Sequence, residues 1–121
     1  MSTSKRFLVI SRRPPYGSSH ARDALDTALT TAVFEQPVSM LFLDDGVYQL
    51  LQAQQPAGIQ QKNLGATLSA LPMYDIDQLY VCDSALRSRG LSLDDCLLPV
   101  QLLDGNAIAQ LIRNHDVVLS F

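Results

Sequence analysis

The chain has 121 residues, of which 47% are hydrophobic and 17% charged, and its formal net charge is −3. That length fits one domain spanning residues 1–121, with a core that needs neither disulfide nor metal. The acidic balance argues against direct nucleic-acid binding, which draws on many phosphate-neutralising cations. No apolar run approaches the roughly twenty residues of a membrane span, and the N-terminus has no signal-peptide hydrophobic region. Cys82 and Cys96 are widely spaced and match no zinc pattern. The expectation is a cytoplasmic protein with free thiols, no membrane contact and no cofactor or metal. The charged fraction lies below the roughly 25% usual for soluble domains, a hint that another subunit covers part of the surface.

Phe7–Ile10 predicts the first strand. Arg12–Ser19 follows as a loop, because Pro14-Pro15 forbids helix and Gly17 permits a turn. Ser18 or Ser19 caps a helix from His20, in which Ala21, Ala24, Leu25, Ala28, Leu29, Ala32 and Val33 recur on one face. Pro37 closes that connection. Val38–Leu43 is apolar apart from Ser39 and suits a strand buried on both faces of a parallel sheet. Asp44-Asp45-Gly46 ends it in a tight turn, and Val47–Leu51 adds an apolar cluster read as a short helix.

Gln52–Gln61 is a glutamine-rich loop. Leu64, Leu68 and Leu71 are spaced for a third helix, broken by Pro72. Leu79–Cys82 is the next strand. Asp83 or Ser84 caps a helix over Ala85–Arg89, which Gly90 ends in the left-handed conformation. Leu91–Cys96 is a loop or single turn. Leu97–Leu103 is a fourth strand, and Pro99 implies an edge position or a late start. Asp104 caps a last helix carrying Ala107, Ile108, Leu111 and Ile112, and Val117–Leu119 is the terminal strand. About five strands alternating with helices imply an α/β fold: three α/β/α layers, mostly parallel strands, flavodoxin-like.

Gly17-Ser18-Ser19 has neither dinucleotide-binding nor P-loop spacing and reads as a plain loop. Asp44 and Asp45 suit turn formation better than a shared metal or acid–base pair, since adjacent strand-end residues point to opposite sides. His20 reads as a surface residue at a helix start, and the helix dipole accounts for His115. Cys82 ends a strand beside a helix N-terminus. Two readings stand there: a small packed thiol, or a thiolate nucleophile favoured by peptide dipoles and opposed by Asp83. Cys96, beside Asp94-Asp95, should have a raised pKa and be inert.

Several stretches together resemble the TusC/DsrF family, over nearly the whole chain. They are Lys5-Arg6-Phe7 leading to Pro15-Tyr16-Gly17, Leu43-Asp44-Asp45-Gly46-Val47-Tyr48-Gln49-Leu50, and Tyr74-Asp75-Ile76. Val81-Cys82 with Leu86-Arg87-Ser88-Arg89-Gly90-Leu91 and the closing Asp116–Phe121 complete the set. The Asp-Asp-Gly-Val-Tyr-Gln-Leu stretch and the final Phe are the most specific. The resemblance implies a DsrE-like fold and a place in a sulfur-relay heterohexamer with TusB-like and TusD-like subunits. Such complexes take persulfide sulfur from a TusA-like donor and pass it to a TusE-like acceptor, towards 2-thiolation of the tRNA wobble uridine. DsrEFH relatives serve sulfur oxidation instead.

In both, the main sulfur carrier is the TusD/DsrE-like subunit, and the TusC/DsrF-like chain is chiefly structural. Cys82 falls where the paralogous carriers hold their sulfur-accepting cysteine. The first expectation is therefore a non-catalytic subunit contacting its sisters through Tyr48, Leu50 and Leu51. The second is an active persulfide carrier, with Cys82 as nucleophile and Arg87 and Arg89 attracting an anionic donor. The third, a small-molecule-binding flavodoxin-like domain, lacks a phosphate-binding loop.

Overall fold

The computed structural model describes residues 5–15, 17–51, 67–96 and 98–121. Among these, five strands form one sheet: β1 (Phe7–Ser11), β2 (Val38–Phe42), β3 (Gln78–Cys82), β4 (Gln101–Leu103) and β5 (Val117–Ser120). The order across the sheet is β4-β3-β2-β1-β5, with every neighbouring pair parallel. The α-helices are α1 (His20–Val33), α2 (Asp83–Ser88) and α3 (Gly105–Arg113). Residues 67–69 are helical and lead into a 3-10 turn, Leu71–Tyr74, with Pro72 in its first turn. The expected loop over Gln52–Gln61, the helix position Leu64 and the strand start at Leu97 lie outside the described residues.

β2 occupies the centre of the sheet and all five of its residues are buried, as its unbroken apolar run requires. Side-chain alternation divides the core in two. Val9, Met40, Phe42, Leu79 and Val81 face α1 and α2. Leu8, Ile10 and Leu41 face the other way, under Ile108 and Leu111 of α3. α1 seats closely because Ala21, Ala24 and Ala28 bring its backbone down onto the sheet beside the enclosed Leu25. Val33, expected on that face, is exposed. Leu29 and Ala32 still pack on the core, so the buried stripe runs through Ala21, Ala28 and Ala32 and leaves Val33 to one side of it.

The opposite layer is thinner. None of the nine residues of α3 is fully buried, and polar links fix the helix at both ends. Asp104 caps it by accepting from the Ala107 N–H at 2.8 Å. His115 Nδ1 lies 2.7 Å from the Leu111 carbonyl, and its Nε2 lies 3.2 Å from the Oγ of the buried Ser39. His115 thus does more than complement a helix dipole: it gives the lone hydroxyl inside β2 its partner. β4 begins late and lies at the sheet edge, the two outcomes Pro99 allowed.

The 3-10 turn Asp44–Leu50 follows β2 and folds against the end of β1. The Leu43 N–H donates to the Ser11 carbonyl at 3.0 Å, and a Cβ built at Gly46 would fall on that same carbonyl oxygen. Gln49, almost fully enclosed, donates from Nε2 to Ser11 Oγ at 2.7 Å and to the Arg13 carbonyl at 2.9 Å. Gly46→Ala is expected to destabilise the fold by about 3 kcal/mol, because the obstructing atom is backbone and cannot rotate away. Gln49→Leu should cost about 2 kcal/mol by leaving buried polar groups unpaired. Urea-unfolding midpoints measure both, and an unchanged Gly46→Ala midpoint would mean the two segments are not in contact.

Candidate functional site

The connections leaving neighbouring strands part company between β3 and β4. After β3 the chain enters α2 on one face of the sheet, and after β4 it enters α3 on the other. In open α/β sheets the crevice for a ligand or partner opens at the C-terminal ends of two such strands. Here those ends are Cys82 and Leu103, paired in register. Cys82 is therefore the side chain with chemical potential nearest the switch point.

Cys82 is half-buried, and its Sγ lies 3.2 Å from Ser84 Oγ, so either group can donate to the other. The hydroxyl comes from the first turn of α2, a helix of six residues with no side-chain cap on its N-terminus. Its far end is closed by Gly90 at φ +70°, with the Gly90 N–H on the Arg87 carbonyl and the Leu91 N–H on the Leu86 carbonyl. This is the two-bond left-handed closure for which glycine is favoured. The helix starts at Asp83, two residues before the expected Ala85.

Arg87 of α2 and Arg89, which caps the helix's C-terminus, are both engaged. Arg87 Nε lies 3.2 Å from Asp83. Arg89 places Nε and Nη2 at 3.2 and 3.0 Å from Asp45 Oδ1, donates from Nη1 to the Ala85 carbonyl, and stands 5.9 Å from the centre of the Tyr48 ring. Neither is the unpaired cation beside Cys82 that an anion-attracting role calls for. Arg89 instead ties α2 to the turn after β2. Asp45 has this partner, whereas Asp44 is exposed with a left-handed backbone, φ +49°. Among the described residues no cluster of His, Cys, Asp and Glu is placed to hold a metal.

Cys96 sits apart, buried where Leu51 and Cys96 form an isolated antiparallel bridge. Burial, and secondarily the charge of Asp95, push its thiol pKa up. The sequence pointed to the acidic neighbours, but loss of solvent is the larger cause. Asp95 also accepts from the Ser92 N–H at 2.9 Å, which caps the 3-10 turn Leu93–Asp95.

The post-turn segment differs from expectation in one respect. Leu50 is completely enclosed in this chain's own core together with Val47, so it offers no surface to a neighbouring subunit. The 3-10 coil turns those two side chains inward. Tyr48 and Leu51 are only half-buried and keep atoms at the surface. His20 is exposed, with its Nδ1 3.1 Å from Ser18 Oγ. Gln49 was not singled out as a structural residue in the sequence. The available signal was a lone amide inside an apolar cluster, flanked by positions that the coil buries.

Residues 5–121 match the model of the DsrE/DsrF-like family. The chain is 47% identical over 117 residues to a Protein TusC homolog of Pseudomonas aeruginosa, covering 97% of this chain and 98% of that protein. It is 36% identical over 131 residues to the intracellular sulfur oxidation protein DsrF of Allochromatium vinosum, covering 97% and 96%. Among solved structures, ychN of E. coli superposes with a TM-score of 0.82 at 23% identity, covering 98% of this chain and all of that one. MTH1491 of Methanobacterium thermoautotrophicum, a protein of unknown function, superposes at 0.69 with 14% identity and the same coverage. These two show the fold. The family model and the two sequence relatives show the lineage: the chain belongs to the DsrE/DsrF-like family and is a member of its sulfur relay and sulfur oxidation branch.

Proposed function

We propose that the chain is the TusC-like subunit of a cytoplasmic sulfur-relay heterohexamer that serves 2-thiolation of the tRNA wobble uridine. In this role it is a structural member rather than the main sulfur carrier. The observation that supports this most is the 47% identity to a TusC homolog over almost the whole of both chains. TusB-like and TusD-like chains are its sisters, with a TusA-like donor and a TusE-like acceptor meeting the assembly. No helix among the described residues is long and apolar enough to cross a membrane. Tyr48 and Leu51 are the contacts retained from the post-turn segment. Co-expression with the TusB-like and TusD-like chains followed by sizing tests the proposal. Co-elution of all three is expected, and a chain that never joins them overturns it.

A second role, active persulfide carriage by Cys82, is favoured by the switch-point position and the Ser84 contact. In that role the Cys82 thiolate attacks the outer sulfur of a donor persulfide and releases the donor's thiol, with the Ser84 hydroxyl 3.2 Å away to position the sulfur. Incubation with a persulfide donor should then add about 32 Da, one sulfur atom. The adduct should vanish in Cys82→Ser and form several-fold more slowly in Ser84→Ala. Cys96, whose raised pKa keeps it protonated at neutral pH, should remain unalkylated by iodoacetamide until the pH passes well above the ordinary thiol range near 8.5. A sulfur adduct that survives in Cys82→Ser removes Cys82 from this role. The 36% identity to DsrF supports a DsrEFH-like role in sulfur oxidation as the alternative setting, and neighbouring reading frames decide between the two.

A further inference from the structure

The largest exposed apolar side chains gather at the N-terminal edge of the sheet, opposite Cys82. Val33 and Phe34, where α1 ends, are 67% and 72% exposed, and Met73 and Tyr74 of the 3-10 turn are 85% and 49% exposed. The turn packs beside α1. Between them lies a depression of about 380 Å³, lined by Ala32, Glu35, Gln36, Pro37, Tyr74 and Asp75.

The patch stands on a fixed backbone. Glu35 and Asp75 close the two segments in the left-handed conformation, at φ +62° and +64°. Their N–H groups donate to the Ala32 carbonyl at 2.9 Å and the Pro72 carbonyl at 3.1 Å. Directly beneath, Leu71 and Ile76 are completely buried. The exposed side chains thus cannot fold inward, because the inward positions are filled. Grouped apolar surface of this kind marks a protein interface, and Phe, Met and Tyr are enriched in interface cores.

Charge decides what covers it. Glu35, Asp75 and Asp77 are exposed around the patch, and none is in an ion pair among the described residues. Lys5, whose backbone N–H donates to Gln36 Oε1, sets one positive charge against these three carboxylates at the same edge, so the rim formed by these described residues is net acidic. A two-fold contact between copies would bring the carboxylates of one towards those of the other, a like-charge arrangement that disfavours self-pairing. We propose that the Val33–Phe34 and Met73–Tyr74 surface docks a non-identical chain whose apolar contact residues are flanked by lysines or arginines.

This proposal rests on the sulfur-relay reading for the identity of that chain, a TusB-like or TusD-like sister. The test co-expresses the full chain with both sisters and measures how much is retained on a tagged sister. Phe34→Ser with Met73→Ser should lower retention about tenfold or more. Its urea-unfolding midpoint should match the unmodified protein, since both side chains are at the surface. Glu35→Lys with Asp75→Lys should also weaken retention and remove its sensitivity to salt. If the unmodified chain joins its sisters and the Phe34→Ser, Met73→Ser variant joins them equally, the surface assignment falls and the relay reading stands. If the unmodified chain does not join them, both fall. A homodimer of the chain alone that the same variant dissolves makes a second copy the occupant and overturns the proposal.

Discussion

The architecture depends on how closely the turn after β2 approaches the end of β1. At Gly46 the two backbones leave no room for a side chain, and the Ser11 carbonyl occupies the place of a Cβ. Gln49 then bonds the same segment to Ser11 Oγ and to the Arg13 carbonyl. Through Asp45 and Arg89 the turn also holds α2, and α2 carries the hydroxyl that meets Cys82. One steric limit therefore sets the positions of three strand ends along the C-terminal edge of the sheet. The exposed Asp45–Arg89 pair contributes orientation more than stability, as partly solvated ion pairs do.

The crossover pattern sets the rest. With strand order β4-β3-β2-β1-β5, the chain steps outward strand by strand and then returns across the sheet to place β5 beside β1. That return is made by α3 alone. Among the described residues one face thus receives α1, α2 and the 3-10 turns, and the other a single helix with no fully buried residue. The asymmetry puts the divergence of connections between β3 and β4, at the strand end that carries Cys82.

The fold was legible in the sequence because its strongest signals were local. The apolar run of Val38–Phe42, the three- and four-residue spacing through Leu25 and Ala28, and the Asp104 cap each depend on neighbours within a few positions. The family likeness was legible from the Asp-Asp-Gly-Val-Tyr-Gln-Leu stretch. What escaped was settled by pairs distant in the chain. Nothing near Gln49 announces Ser11, and nothing near Arg89 announces Asp45. Whether Leu50 faces solvent or core depends on the pitch of a 3-10 coil, which the apolar pattern alone does not fix. Val33 follows Leu29 by four residues and still emerges into water, because the buried stripe centres on Ala21, Ala28 and Ala32 and Val33 lies to one side of it.

The two rims of the sheet bear on whether a foreign strand can add to it. A strand rim with unpaired N–H and C=O groups is a template for a foreign strand, and a long flat one invites fibrils. β4 is only three residues long and follows shortly after Pro99, which has no N–H to offer. On the far side, β5 spans four residues with alternate side chains exposed, and Phe121 turns its N–H back to the Ile10 carbonyl. Among the described residues both rims are therefore short, and each offers little free backbone as a template for a foreign strand.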